Sequence, residues 1–139
     1  MKELDSDLLQ AYRDAIYRVD GKFDFKIDEY SAELENLHQS RGATHSHFIT
    51  AFNPASQRRP AEENAWRHQE LGTKLDELSC ERLPAAGLDP EGHWPPEPGY
   101  LVFNLDAETA LQLGAAYGQN AVVAIGRDAV PRLALISRP

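Results

Sequence analysis

Apolar positions at Leu4, Leu8, Leu9 and Tyr12 recur at helical spacing and predict a short amphipathic helix over residues 4–14. The spacing then shortens. In "IYRVDGKFDFKI", Phe23, Phe25 and Ile27 alternate with Lys22, Asp24 and Lys26, so this strand has one buried and one wet face. Asp20-Gly21 just before it is a pair that tolerates positive φ, which predicts a two-residue hairpin turn. Ser31 predicts the N-cap of a helix running to about Gln39, with Leu34 and Leu37 inward and Arg41-Gly42 at its end.

A strand is expected over residues 46–52, followed by the turn residues Asn53-Pro54-Ala55-Ser56. From about Ala61 to Ser79 the pattern is helical again, with Leu71, Leu75 and Leu78 on one stripe. A short extended segment near Glu81 to Leu83 and a Pro/Gly-rich connection from Pro84 to Gly99 come next. "YLVFNL" reads as a strand, and Asp106 as the N-cap of a helix to about Tyr117, with Leu105 as a hydrophobic staple and Gly118 past its end. "AVVAI" and "VPRLALI" form a closing hairpin around residues 126–129, and Pro131 sets the last strand at an edge or starts it late. Helices and strands interleave without a strict βαβ period. The prediction is an α+β fold: a single domain over residues 1–139, a mixed or mainly antiparallel sheet, three to four helices packed on it, and hairpins near both ends.

Composition narrows the function classes. The chain has 139 residues, 42% of them hydrophobic, which suffices for one core without staples. Its formal net charge of −8 repels phosphate backbones and anionic lipid, so nucleic acid is a poor partner and no membrane association is expected. Arg58, Arg59 and Arg67 are a local exception, answered by Glu62, Glu63 and Glu70. "MKELDSDLLQ" lacks the basic and apolar regions of a secretory signal, and "AVVAI" is far too short to span a bilayer, so a cytoplasmic protein is expected. Cys80 is the only cysteine, which excludes an internal disulfide, and it is expected to be a small buried filler.

Candidate chemistry gathers at the start of the long helix. Stepping back from Leu71 along the inward stripe reaches His68 and Asn64, with Arg67 to one side, next to the Asn53-Pro54 loop and the helix N-terminus. Either these side chains satisfy buried carbonyls and a carboxylate, or they hold a small polar or anionic ligand such as a nucleotide or metabolite. Asn53 and Ser56 at the strand end allow the same two readings, turn chemistry or ligand contact. In "DPEGHWPPEPGY", Trp94 caps the core edge or lids a pocket, with Glu97 as acid, base or cation partner. Gln119 and Asn120 stand at a strand entrance, as backbone partners or as further ligand contacts. An enzymatic version would use Glu97 as general base and Arg67 for charge stabilisation.

No hydrolase, P-loop, dinucleotide-binding or RNA-binding signature is present. His45 and His47 lie two apart without a spaced third ligand, so no metal and no cofactor is expected. The other class of function is a protein-interaction or regulatory module, whose partner meets the acidic surface or the edge of the terminal hairpin.

Tyr12-Arg13 with Tyr17, "FITAFNPAS" from Phe48, "ENAWR" with Leu71, "DPEGHWPPEP" from Asp89 and "GQNAVV" from Gly118 together resemble the bacterial domain-of-unknown-function family 3293. The resemblance extends from about Tyr12 to Leu135 and implies no established activity, cofactor or partner. What it implies is a set of motif positions: Asn53, Pro54, Ser56, Asn64, Arg67, Trp94, Glu97, Gln119 and Asn120. One departure is Pro98-Gly99, where a smaller polar residue is expected after the acid, which questions any hydrogen-bonding role just after Glu97.

Overall fold

The computed structural model describes residues 6–136. Its centre is a seven-stranded, wholly antiparallel sheet of β1 (Ile16–Val19), β2 (Phe23–Phe25), β3 (Ser46–Thr50), β4 (Arg82–Leu88), β5 (Glu97–Phe103), β6 (Ala121–Ile125) and β7 (Pro131–Leu135). The spatial order is β2-β1-β4-β5-β3-β6-β7. Four helices accompany it: α1 (Ser6–Asp14), α2 (Ala32–Arg41), α3 (Ala61–Glu77) and α4 (Ala107–Ala116). This is the expected α+β architecture with a hairpin near each end. Leu4, part of the expected first helix, lies outside the described residues.

Local chemistry accounts for most boundaries. Asp20 and Gly21 both adopt positive φ, 52° and 66°, and Lys22 N–H closes the turn on the Val19 carbonyl at 2.8 Å. Ser31 caps α2 by accepting from Leu34 N–H at 3.1 Å, and left-handed Gly42 ends it. Asp106 caps α4 through Thr109 N–H, and Gly118 follows its end at φ 72°. Pro131 opens an edge strand, where a missing N–H is least costly.

The region from Pro84 to Gly99 overturns the expectation of a connecting loop. Half of it lies in β4 and β5, a long hairpin at the middle of the sheet, and only residues 89–96 form the connection. Pro84 and Pro98 disguise it, yet each sits just beyond a ladder on one side: β1 pairs β4 only from Ala85 on, and β3 pairs β5 only from Gly99 on. Gly99 is required by the close approach of β3, because a Cβ there would collide with the Ile49 carbonyl oxygen and the Phe48 ring. Leu78 is also corrected: it caps the end of α3 at 45% exposure, whereas Leu71 and Leu75 are fully buried.

The sheet curls, and its two faces are buried differently. Ile49, Val102 and Val122 point to the convex face, where Leu71 and Leu75 of α3 and Ala110 and Leu113 of α4 cover them. Their chain neighbours Phe48, Leu101 and Val123 point to the concave face, together with Tyr17, Val19, Phe25, Phe103 and Ile125. Double burial explains why "AVVAI" is continuously apolar. At one end α2 fills the curl, with Leu34 in the core and His38 bonded to Ser46 Oγ at 2.8 Å. There the sheet edges also meet, as Asp28 N–H donates to the Pro131 carbonyl at 2.7 Å. The opposite end is hollow. No helix among the described residues is long and apolar enough to cross a membrane.

Candidate functional site

The hollow is a cavity of about 300 Å³ on the concave face. Strands supply Tyr17, Phe48, Thr50, Gly87, Glu97, Val123 and Leu133 to its wall. Leu8, Ala11 and Tyr12 of α1, Phe52, Asn53, Ser56 and Arg58 after β3, and Trp94 and Pro95 before β5 complete the mouth. The loop carrying Trp94 is held by Asp89, whose carboxylate accepts from the N–H groups of Glu91 and His93 at 3.0 and 2.7 Å. Trp94 also packs against the concave core, so both of its expected roles meet in one side chain.

Glu97 begins β5 directly opposite Gly87, and Tyr17 pairs with that glycine from the other side. Its half-buried carboxylate accepts from Asn53 Nδ2 at 2.5 Å and, among the described residues, forms no ion pair. Burial raises its pKa above the ordinary glutamate value, with the Asn53 hydrogen bond pulling weakly the other way.

Asn53 itself is fixed by its neighbours. It adopts φ 47°, its N–H donates to Asn64 Oδ1 at 2.9 Å, and its Oδ1 accepts from Asn64 Nδ2 and Arg59 N–H, each at 2.9 Å. This reciprocal pair fastens the loop to α3 and orients the Asn53 amide so that its NH2 faces Glu97. Arg67 has a comparable backbone role. Its Nε donates to the Ala51 carbonyl at 3.1 Å and Nη2 to the Tyr117 carbonyl at 2.6 Å, joining the end of β3 to the end of α4. Ser56 Oγ lies 3.0 Å from Tyr12 Oη and accepts from Asn120 Nδ2 at 3.2 Å, which ties α1 to the loop and to β6. Gln119 Nε2 donates to the Phe52 and Tyr117 carbonyls.

Of the residues the sequence singled out, Asn53, Ser56, Trp94, Glu97 and Gln119 lie on the cavity wall, and Asn64, Arg67 and Asn120 do not. No residue of α3 lines the cavity, although Asn53 and Arg58 from the segment leading into that helix do, and the first turn of α3 carries Glu62 and Glu63. With Arg67 held by two carbonyls, its expected charge-stabilising role loses its geometric basis. Just after Glu97, where Pro98-Gly99 offers no polar side chain, a hydrogen bond is made by the backbone, with the Pro98 carbonyl accepting from Thr50 Oγ1 at 2.7 Å. Sequence reasoning missed Tyr17, Phe48 and Phe52 as wall residues, although strict alternation along β1 and β3 puts Tyr17 and Phe48 on the concave face. Among the described residues no group of three His, Cys, Asp or Glu side chains could hold a metal.

A family model described as "Protein of unknown function (DUF3293)" matches residues 49–122, more than half of the chain. No curated protein and no solved structure matches. The matched span contains the Asn53–Asn64 pair, Arg67, Trp94, Glu97 and Gln119, whereas the wall residues Tyr12, Tyr17 and Phe48 lie before it. The chain therefore belongs to the DUF3293 family of proteins of unknown function.

Proposed function

We propose that this domain binds a small molecule in the cavity at the open end of the curled sheet. Ligand sites are concave, mostly apolar, and carry a few fixed polar groups; volumes from about 300 Å³ are typical. The observation that carries the reading is Glu97, a half-buried carboxylate on an aromatic wall, held by an oriented amide and left without a cationic partner among the described residues. A buried ionisable group without a partner is costly, and such groups cluster at functional sites. In an enzymatic version of this reading Glu97 would act as the acid or base on a bound molecule.

The expected result of a thermal-shift screen is a melting temperature that rises with ligand concentration, because only the folded state has the cavity. Gly87→Leu supplies the control. A Cβ at 87 meets nothing closer than the Tyr17 ring at 3.7 Å, so the residue fits the strand and its bulk enters the cavity. Loss of every ligand-induced shift in Gly87→Leu, with the fold retained, supports the reading; shifts unchanged in this variant overturn it. The interaction-module alternative has one observation behind it, namely that β7 ends the sheet with Leu135 at 50% exposure.

A further inference from the structure

We infer that the molecule this cavity accepts is an organic cation, a protonated amine or quaternary ammonium on an apolar or aromatic body. The inference rests on the reading of the cavity as a ligand site and concerns what that site recognises. Five aromatic residues line it, Tyr12, Tyr17, Phe48, Phe52 and Trp94, although the Phe52 ring itself lies edge-on to His68 of α3, and with them stands one half-buried carboxylate, Glu97. Aromatic cages closed by a carboxylate suit cations, because ring faces are electron-rich and a desolvated ammonium is drawn to them.

The hydrogen-bond inventory points the same way. Tyr17 Oη donates to the Tyr12 carbonyl, Thr50 Oγ1 to the Pro98 carbonyl, and Gln119 Nε2 to the Phe52 and Tyr117 carbonyls. Asn53 directs its Nδ2 to Glu97 Oε2, while its own Oδ1 is occupied by Asn64 and Arg59. These donors of the wall are thus committed to the protein's own acceptors. Glu97 Oε1 accepts no hydrogen bond among the described residues. A ligand that donates or carries positive charge completes this arrangement, whereas an anion would meet the carboxylate, with the Trp94 indole N–H and the Tyr12–Ser56 hydroxyl pair as the neutral donors left to it. The one basic side chain on the wall, Arg58, belongs to an exposed residue at the mouth. The net charge of −8 also favours the approach of cations over anions. Of the small polar or anionic ligands expected from the sequence, the anionic ones are thereby set aside.

The test compares three probes of one shape and different charge: 2-phenylethylamine, 2-phenylethanol and phenylacetate, titrated into the protein by calorimetry at pH 7.5. The amine should bind about tenfold or more tighter than the alcohol, with phenylacetate weakest. Glu97→Gln should bring the amine down to the level of the alcohol. In the unmodified protein, amine affinity should fall as pH drops through the raised pKa of Glu97. The other titratable or charged groups on the wall are Tyr12, Tyr17 and Arg58, and burial pushes the Tyr17 hydroxyl further up from its ordinary value. Equal binding of the three probes, abolished in Gly87→Leu, overturns the cation inference and leaves the cavity a ligand site. Retention of the amine preference in a folded Glu97→Gln protein likewise overturns it. Silence from all three at millimolar concentration overturns both readings. The ranking of probes and its pH dependence need no variant.

Discussion

The two faces of the sheet are made by the same strands, yet one is solid and the other partly hollow. On the convex side, Ile49, Val102 and Val122 meet leucines of α3 and α4, and the polar residues at the rim, Arg67 and Asn64, are bonded to backbone or loop groups. On the concave side, α2 fills one end and leaves the other to aromatic side chains, a carboxylate and a cavity. Polar residues from one short sequence region therefore divide by face. Those under α3 hold the structure together, and those under α1 and the Trp94 loop frame a space. Proximity along the chain is a poor guide to a shared site when successive strand residues point to opposite faces.

The largest expected contrast comes from changing the packing of each face. Leu71→Ala and Leu75→Ala remove fully buried convex side chains and should each cost about 2–5 kcal/mol in denaturant unfolding. Gly87→Leu adds bulk on the concave side and should leave stability nearly unchanged while removing ligand binding. An equally large stability loss in Gly87→Leu would mean that the concave end is a packed core as well.

A middle-sized effect is expected at the seam between the faces. Asn64→Ala removes three hydrogen bonds to Asn53 and Arg59, leaving the Asn53 N–H without its acceptor, and should cost about 1–3 kcal/mol. Because Asn53 then loses its orientation towards Glu97, ligand affinity should fall in the same variant. A variant that loses stability and keeps affinity would show that the seam does not position the site.

The most gradual effect is in acid. His47, at 4% exposure on the convex side of β3, has its pKa lowered from 6.5 to about 4, chiefly by burial and further by His45. The folded state prefers the neutral ring, so this contribution to stability is present above pH 6.5 and lost as pH falls towards 4. Burial also lowers the pKa of His38 and His68, with the same sign. Glu97, raised by burial, acts oppositely and favours the folded state at low pH. Melting temperatures between pH 6.5 and 4 should therefore decline. For His47 alone the slope is at most about 1.4 kcal/mol per pH unit, and His47→Phe should flatten the profile.

Much of this architecture is legible in the sequence, for identifiable reasons. Asp20-Gly21, Ser31, Gly42 and Asp106 act through local backbone geometry, and local geometry survives folding unchanged. The central β4–β5 hairpin was hidden because Pro84, Gly87, Pro98 and Gly99 have weak strand propensity, and only the neighbouring ladders make their positions tolerable. The candidate site was half legible. Asn53, Ser56, Trp94, Glu97 and Gln119 lie around one cavity, but whether Arg67 and Asn64 point to a ligand or to backbone carbonyls depends on tertiary placement. Tyr17 and Phe48 resemble ordinary core residues, and the open end of the curl alone makes them wall residues.

The contrast between the faces can be read through the two tryptophans of the chain. Trp94 lines the concave cavity, and Trp66 stands on α3 at 60% exposure. In a Trp66→Phe protein, Trp94 becomes the sole indole reporter. Titration with 2-phenylethylamine should then shift its emission saturably, and addition of Gly87→Leu should abolish the shift. A Trp94 emission indifferent to the amine, or a shift that persists when residue 87 fills the cavity, would contradict the assignment of the open concave end as the ligand site.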